Sequence, residues 1–240
     1  RLLRTDLPGL FDFFFGQRFA ERGYHFLVQT TRGRFDSQGK FQPFIPEAAD
    51  GRATLDWIAR QPWFNGSLGL WGPSYLGYVQ WAVAPDAPPY LKAIVPTFAA
   101  SRFSSTFFPD GALGETPLQW SYLMDVANKS KWATFESLRR ANPKALESAL
   151  TPAFRHLPAC EADIVAIGKP VDYYREWLAH ERLDDPYWAK IDHSARVSQI
   201  TAPAHLITGW HDFFVRDLLA DYAALKAAGR APYLTIGPEG

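Results

Sequence analysis

The stretch LGLWGPSYLGYVQWAVA, residues 68–84, restricts the possible fold of this chain more than any other part of the sequence. A short apolar run leads into a tight turn, and after the turn apolar residues recur with the spacing of an α-helix. Ser74 lies at this turn, and Gly72 and Gly77 beside it allow a strand and a helix to approach each other closely. The pattern therefore predicts a buried strand, a sharp turn that carries a serine, and a helix.

Strand and helix patterns alternate on both sides of this turn. Apolar, β-rich runs end in turn residues, whereas the stretches between them have helical periodicity. The predicted strands are HFLVQTT, GSLGLWG, LKAIVPT, PAHLITG and APYLTIG. Strands that alternate with helices are typical of the α/β class, in which crossover helices cover a parallel sheet. We therefore predict an α/β fold built on a parallel sheet.

The middle of the chain has a different character. From about Arg102 to His193 strand patterns are rare, and helical stretches separated by prolines dominate. This change predicts a helical insertion over residues 102–195, within an α/β core that comprises residues 1–101 and 196–240.

Composition argues against several classes of function. The 25 basic and 25 acidic residues give a net charge of zero, which removes the basic footprint typical of nucleic-acid binding. No apolar run approaches the roughly 18–20 residues that a membrane span requires. The single cysteine, Cys160, excludes an intrachain disulfide, and no metal-ligand spacing or phosphate-binding loop occurs. We expect no nucleic acid, membrane, metal or other cofactor as a partner, and a cytoplasmic location.

Ser74 has two interpretations. On a sharp strand-to-helix turn a serine is the nucleophile of an α/β-hydrolase, and the backbone N–H of the next residue, Tyr75, contributes to an oxyanion hole. Residues 72–77, GPSYLG, match the first half of the Gly-x-Ser-x-Gly pattern, but the second glycine comes one position late. Alternatively, Ser74 caps the helix that follows it.

Asp212 is the candidate acid for this serine. It follows the predicted strand PAHLITG and precedes a helical pattern, which is the position of a triad acid that comes after the serine in chain order. The alternative is that Asp212 caps the next helix. A triad also requires a histidine, and none of the six histidines of the chain follows Asp212.

Three stretches of the sequence resemble the CocE/NonD family of serine hydrolases, and the similarity extends over nearly the whole chain. They are RGRFDSQGKFQPF, DWIARQPWFNGSLGLWGPSYLGYVQWA and LITGWHDFF. The family includes esterases, α-amino acid ester hydrolases and, more distantly, X-prolyl dipeptidyl peptidases, and its serine motif is Gly-x-Ser-Tyr-x-Gly. The resemblance implies an α/β-hydrolase fold with a helical cap, Ser74 as nucleophile and Asp212 as acid. It also implies that a small ester, amide or peptide is hydrolysed through an acyl-enzyme.

The sequence departs from this family pattern in two respects. The family histidine lies soon after a Gly-Pro turn, whereas here Gly237 and Pro238 nearly end the chain. We therefore expect the histidine beyond Gly240, and interpret the chain as a fragment that also lacks the family's C-terminal jelly-roll domain. Leu7 stands in the place of the family tyrosine that supplies a second oxyanion donor. Without its base, the 240-residue chain is expected to be nearly inactive.

Aromatic residues are dense in the predicted helical insertion. Trp120, Trp132 and Trp177 are candidates for the walls of an acyl pocket, and packing between helices is the alternative for each of them. Asp184 and Asp185 lie in a turn that either is solvated or receives the amine of a substrate.

Three functions stay open from the sequence. Hydrolysis of an ester or amide bond is the main prediction, cleavage of X-Pro dipeptides is the alternative within the same class, and a non-catalytic binding protein of hydrolase fold is the alternative from another class. The missing histidine and Leu7 are the two features that give the binding protein slight support. A histidine just past Gly240 would distinguish either hydrolase from the non-catalytic binding protein. The oligomeric state is not predicted.

Overall fold

The computed structural model describes residues 7–129 and 143–238, with side chains described for residues 14–128 and 146–238. The helices in these ranges are α1 (Leu7–Ala20), α2 (Glu47–Ala59), α3 (Tyr75–Val83), α4 (Thr116–Lys129), α5 (Pro143–Phe154), α6 (Ala162–Ile167), α7 (Asp172–Ala179) and α8 (Val215–Ala227). The strands are β1 (Leu68–Pro73), β2 (Leu91–Thr97), β3 (His205–Gly209) and β4 (Tyr233–Gly237).

The strands form a parallel sheet in the order β1-β2-β3-β4. Helix α3 lies between β1 and β2 in the chain, and α8 lies between β3 and β4, as parallel neighbours require. The register pairs Pro73 with Thr97, and Thr97 with Ile207, so that the carboxyl ends of β1, β2 and β3 meet at one edge of the sheet. The predicted α/β class with a parallel sheet is confirmed.

Helix α3 packs on β1 and β2 through an apolar face. Tyr78 and Trp81 on this face are completely buried. Gln80 is buried as well, and its side chain accepts a hydrogen bond from the Val95 amide of β2 at 2.8 Å and donates one to the Leu76 carbonyl at 2.9 Å. These two bonds satisfy the polar amide group inside the core, and the bond to Val95 joins the helix to the sheet in addition to the apolar contacts.

The chain divides into two compact units. The first comprises Arg1–Phe41 and Glu115–Ala179, and the second comprises Gln42–Gly114 and His180–Gly240, which includes the sheet. These bounds differ from those of the predicted core and insertion. Residues 1–41 of the predicted core belong to the first unit, and residues 102–114 and 180–195 of the predicted insertion belong to the unit with the sheet. The division into a hydrolase core and a cap stays a prediction.

Most of the predicted elements are present. The helix at residues 47–59 ends before Pro62, and the last helix is followed by Gly229 with a φ of +76°, a conformation that favours glycine after a helix. The strand predicted at HFLVQTT was wrong, since residues 25–31 have no regular structure. Leu27 and Val28 are half exposed there, and an apolar run becomes a strand only where a neighbouring strand completes its hydrogen bonds. The sequence also predicts a strand at RLLRT, residues 1–5, and a helix at WATFESLRRA, residues 132–141, and both stretches lie outside the described residues.

In the part of the chain that the structure describes, no helix combines the length and the apolar character that a membrane crossing demands.

Candidate active site

Ser74 lies at the tip of the turn between β1 and α3, with φ +54° and ψ −122°. A non-glycine residue in such a conformation costs about 1–3 kcal/mol, which the surrounding structure must supply. The Ser74 amide donates to the Thr97 carbonyl at 2.9 Å, and its own carbonyl accepts from the Gly77 and Tyr78 amides at 2.8 and 2.9 Å. The backbone of the serine is therefore fixed from both sides.

The hydroxyl of Ser74 does not cap the helix. The residue occupies the position before the first residue of α3, but its side chain makes no capping hydrogen bond there, and it is exposed. The alternative interpretation of Ser74 as a capping serine is therefore wrong. An exposed serine on a strained strand-to-helix turn is instead typical of a nucleophile elbow.

Glycine is required at both flanking positions because atoms lie where a Cβ would be. A Cβ on Gly72 would come within 2.4 Å of the Leu76 Cβ. A Cβ on Gly77 would come within 2.6 Å of the Ala99 Cβ and 3.2 Å of the Gly72 carbonyl oxygen. The second glycine of the motif, which comes one position late in the sequence, thus permits the close contact of α3 with the chain after β2.

Tyr75 is the first residue of α3, so its peptide N–H points out of the helix N-terminus rather than to an intrahelical carbonyl. The helix dipole adds partial positive charge at this position, and both features suit an oxyanion donor. Its phenol hydroxyl donates to the carboxylate of Glu47 and accepts from the Phe44 amide at 3.0 Å. Burial, followed by the charge of Glu47, raises the pKa of Tyr75 well above its usual value, so the side chain stays a neutral phenol.

Asp212 lies in the turn after β3 and is 5% exposed. One carboxylate oxygen, Oδ2, accepts from the Thr208 hydroxyl at 2.5 Å, and the other, Oδ1, accepts from the Phe214 amide at 3.1 Å. The residue directly before α8 is Phe214, so Asp212 lies two positions ahead of the helix, and its bond to the Phe214 amide fixes the chain that enters the helix. The capping alternative therefore stays open beside the role of triad acid. Each oxygen of a carboxylate accepts more than one bond, which leaves Asp212 able to accept an imidazole N–H.

The sheet brings the turns of Ser74 and Asp212 to the same edge, with β2 between them. The Thr97 carbonyl at the end of β2 accepts a hydrogen bond from the Ser74 amide. Thr97 is also paired with Ile207 of β3, whose carbonyl accepts a hydrogen bond from the Phe98 amide at 2.8 Å. Two strand spacings place the backbones of these turns roughly 10 Å apart, which leaves room for an imidazole between the two side chains. The end of β4 adjoins the same turn, since the Trp210 amide donates to the Gly237 carbonyl at 3.0 Å.

Four of the histidines have partners elsewhere. His193 is buried, its Nε2 lies 3.0 Å from the Tyr78 hydroxyl, and burial lowers its pKa to about 4. His180 lies 3.0 Å from the Asp185 carboxylate. The others are His205, 2.9 Å from the Thr235 hydroxyl, and His156, 3.8 Å from the Glu161 carboxylate.

Two predicted substrate contacts lie in an aromatic cluster. The rings of Trp120 and Trp177 have centroids 5.7 Å apart, and Tyr173 packs against both of them. Trp177 is completely buried, which favours packing as its role, and the substrate contacts of both tryptophans stay predictions. Trp132 lies outside the described residues.

The paired aspartates favour the interpretation as a turn. Asp184 accepts from Arg182 at 2.7 Å, and Asp185 accepts from the Tyr187 amide at 2.8 Å in addition to its contact with His180. Both carboxylates therefore have partners within their own turn.

Sequence reasoning missed two buried carboxylates near these elements. Glu47 contacts Tyr75, and Asp221 of α8 accepts hydrogen bonds from Ser101, which follows β2. A signal for Asp221 was present, because it shares the buried face of α8 with Leu218 and Leu225. An acidic residue on the apolar stripe of a helix indicates a buried partner.

Comparison with known proteins identifies relatives that match nearly the whole chain. A protein-family model described as X-Pro dipeptidyl-peptidase (S15 family) matches residues 5–240. The cocaine esterase of Rhodococcus sp. (strain MB1 Bresler) is 30% identical over 226 residues, which cover 92% of this chain and 39% of the esterase. The chain thus spans about two fifths of the length of this curated relative.

Two solved structures share the fold. An aminopeptidase from the marine sediment archaeon Thaumarchaeota archaeon matches with a TM-score of 0.57 and 19% identity, over 87% of this chain and 36% of that one. An α-amino acid ester hydrolase matches with a TM-score of 0.55 and 17% identity, over 86% of this chain and 36% of that one. The resemblance to the CocE/NonD hydrolases is confirmed by the esterase match together with the family model. The chain belongs to the X-Pro dipeptidyl-peptidase (S15) family.

Proposed function

We propose that the protein containing this chain is a serine hydrolase that cleaves an ester or amide bond through an acyl-enzyme. Ser74 is the nucleophile, Asp212 is the acid that orients the base, and the Tyr75 peptide N–H is an oxyanion donor. The observation that carries the proposal is the strained, exposed conformation of Ser74 at the sheet edge that also holds the buried carboxylate of Asp212. Membership in a hydrolase family supports it.

In the first half of the proposed reaction, the base removes the proton from the Ser74 hydroxyl as the oxygen bonds to the substrate carbonyl carbon. The carbonyl oxygen becomes an oxyanion at the N-terminus of α3, where the Tyr75 N–H donates to it. The base then gives the proton to the leaving alkoxide or amine as its bond to carbon breaks. Water repeats these steps on the acyl-enzyme and releases Ser74 and a carboxylic acid.

The base in this proposal is a histidine carried by chain beyond Gly240. Its support is geometric, because the end of β4 is hydrogen-bonded to the turn that leads to Asp212. A residue that follows Gly237 closely in the chain therefore lies near the turn that carries Asp212. The four histidines with identified partners are held in other contacts, and His193 stays neutral and buried. Residues 1–240 alone are expected to turn over an ester at least about 1,000-fold more slowly than the full-length protein.

An ester is the first candidate substrate, because the relative that matches 92% of this chain is named a cocaine esterase. Cleavage of X-Pro dipeptides is the second candidate, and the description of the family model supports it. Contacts beyond the reacting bond distinguish these two substrates, and the residues of the elbow serve either reaction.

Covalent labelling tests this proposal. The full-length protein and the chain of residues 1–240 are treated with a fluorophosphonate, with Ser74→Ala as the control in each, and adducts are measured by intact mass. The proposal expects a single adduct on the full-length protein, at least tenfold slower labelling of residues 1–240, and none on Ser74→Ala. If the folded full-length protein takes no adduct at Ser74, the hydrolase proposal is wrong and a binding protein of hydrolase fold is the better interpretation.

A further inference from the structure

The side chain of Tyr75 is held in one position by two hydrogen bonds to groups outside its own helix and by two aromatic contacts. The phenol donates to the Glu47 carboxylate of α2 and accepts from the Phe44 amide at 3.0 Å. Its ring packs against Phe44 and Tyr78, with centroids 4.9 and 6.0 Å away. A tyrosine hydroxyl both donates and accepts, and here both capacities are used.

The groups that hold this phenol are themselves fixed. Glu47 is the first residue of α2 and is only 5% exposed, so its carboxylate lies where the helix dipole favours negative charge. Phe44 is 1% exposed and has a φ of +71°, which is uncommon for a residue other than glycine. This conformation directs the Phe44 amide at Tyr75, while the Phe44 carbonyl accepts from the Tyr78 hydroxyl at 2.9 Å.

The peptide N–H of the same tyrosine is the proposed oxyanion donor. It lies at the first turn of α3, directly after a serine whose conformation is strained. A donor of this kind works only if its direction is set before the reaction, since a misplacement of an ångström lowers the rate markedly. The contacts of the side chain fix the residue as a whole, and thereby the direction of its N–H.

We propose that Glu47 is a positioning residue of the hydrolase, which acts through the Tyr75 phenol to hold the Tyr75 peptide N–H toward the oxyanion. This inference rests on the proposed function. It assigns to the first residue of α2 a part in the reaction that is distinct from the chemistry of Ser74 and Asp212. Glu47 accepts the hydroxyl proton of the tyrosine in a hydrogen bond and exchanges no proton with the substrate.

The test compares two substrates that depend differently on the oxyanion donor. One is 4-nitrophenyl benzoate, and the other is the corresponding thionobenzoate, in which sulfur replaces the carbonyl oxygen. Because sulfur is a weak hydrogen-bond acceptor, hydrolysis of the thionoester gains less from an oxyanion N–H. The ratio of kcat/KM for the ester to that for the thionoester therefore measures how well the N–H is placed, whereas a loss of folded protein lowers both values equally.

The measurement uses the full-length enzyme and four variants. Glu47→Leu removes the acceptor, Glu47→Gln retains one, and Tyr75→Phe removes the hydroxyl while leaving the peptide N–H in place. Glu181→Leu is the matched control, since Glu181 is exposed. We expect Glu47→Leu and Tyr75→Phe to lower kcat for the ester about tenfold with little change in KM, and to lower the ester-to-thionoester ratio at least fivefold. Glu47→Gln and Glu181→Leu should keep the ratio within twofold of the unmodified enzyme.

The outcomes separate this inference from the proposed function. If the unmodified enzyme shows no hydrolysis that Ser74→Ala abolishes, the proposed function fails and the inference falls with it. If Ser74-dependent hydrolysis occurs, but the ratio is unchanged in both Glu47→Leu and Tyr75→Phe, the inference alone is overturned and Glu47 has only a packing role. Because either variant reports on the same bond, the test holds even if Glu47→Leu does not fold.

Discussion

The carboxylate of Asp221 accepts two hydrogen bonds from one residue, Ser101, through the peptide N–H at 2.8 Å and the hydroxyl at 2.5 Å. This contact joins α8 to the chain that follows β2, and the Ser101 carbonyl in turn accepts from the His193 amide at 3.0 Å. Burial is the main cause that raises the pKa of Asp221 to about 7, and the nearby carboxylates of Asp217 and Asp192 add to it.

Asp221→Asn is expected to change how stability depends on pH. The folded protein holds the Asp221 proton up to about pH 7, whereas the unfolded chain loses it near 3.8, so the unfolded state binds fewer protons between these values. Stability from this group is therefore present in full below pH 3.8 and is lost as pH rises through 7. An asparagine still accepts from the Ser101 amide, and its NH₂ donates to the hydroxyl.

We expect the free energy of unfolding of Asp221→Asn to exceed that of the unmodified chain by about 1–3 kcal/mol at pH 8, with a smaller difference at pH 5. Urea unfolding at the two pH values measures this. Asp110→Asn, which removes an exposed carboxylate, is the control and should show no such trend. Equal effects of Asp221→Asn at both pH values contradict the prediction.

His193 gives stability the opposite dependence on pH. Its pKa is about 4 in the folded protein because of burial, compared with 6.5 for an ordinary histidine, so the unfolded chain binds more protons between these values. Its contribution is present above pH 6.5 and is lost as pH falls toward 4. We expect His193→Gln to cost about 1 kcal/mol at pH 7 and to lessen the loss of stability between pH 6.5 and 4.5. Urea midpoints at these pH values test this, and the prediction fails if both proteins lose stability in parallel.

Gly77→Ala is expected to destabilise the fold because its Cβ would overlap the Ala99 Cβ. Such overpacking costs about 1–3 kcal/mol. Gly69→Ala on β1 is the matched control, because a Cβ there meets only the Ala93 carbonyl oxygen at 3.8 Å, and it should change the free energy of unfolding by less than about 0.5 kcal/mol. Adding Ala99→Gly should recover part of the loss. No recovery in this double variant would mean that the contact with Ala99 is not the cause.

Ser74→Gly is expected to stabilise the protein while it abolishes labelling. Glycine adopts a φ of +54° without the penalty that serine carries, so the variant should gain about 1 kcal/mol in the free energy of unfolding. Ser74→Ala removes the hydroxyl but retains a Cβ, and is the control for the strain. The measurement is the thermal unfolding midpoint of the unmodified protein, Ser74→Gly and Ser74→Ala. Equal midpoints for the glycine and alanine variants would show that the turn stores no strain.

Thr208→Val tests whether the position of Asp212 matters for the reaction. The substitution has nearly the same shape and removes the 2.5 Å hydrogen bond to the carboxylate. If the protein is the proposed hydrolase, a less well oriented acid should lower kcat of the full-length protein about tenfold with KM little changed. Thr235→Val on β4 is the control. If both variants retain full kcat, the Thr208 hydroxyl has no part in orienting Asp212.

Local patterns in the sequence were sufficient to predict the elements that carry the proposed catalytic residues. The strand LGLWG, the serine turn and the helix after it were predicted, because apolar periodicity and turn glycines act over a few neighbouring residues. Asp212 was likewise identified as the acid candidate from its place after β3. The resemblance to a hydrolase family followed from the same short stretches, and the family match confirmed it.

Tertiary structure alone decided the contacts between residues far apart in the chain. HFLVQTT has the composition of a strand yet forms none, because pairing depends on a neighbour that local sequence does not specify. Glu47 and Tyr75 are 28 positions apart, and Ser101 and Asp221 are 120 apart, so no local pattern joins them. Burial raises the pKa values of Tyr75 and Asp221. The packed fold decides which side chains are buried, so these pKa shifts do not follow from the residue types alone. The sequence by itself determined which side chains are able to react, and packing determined which of them are held in place.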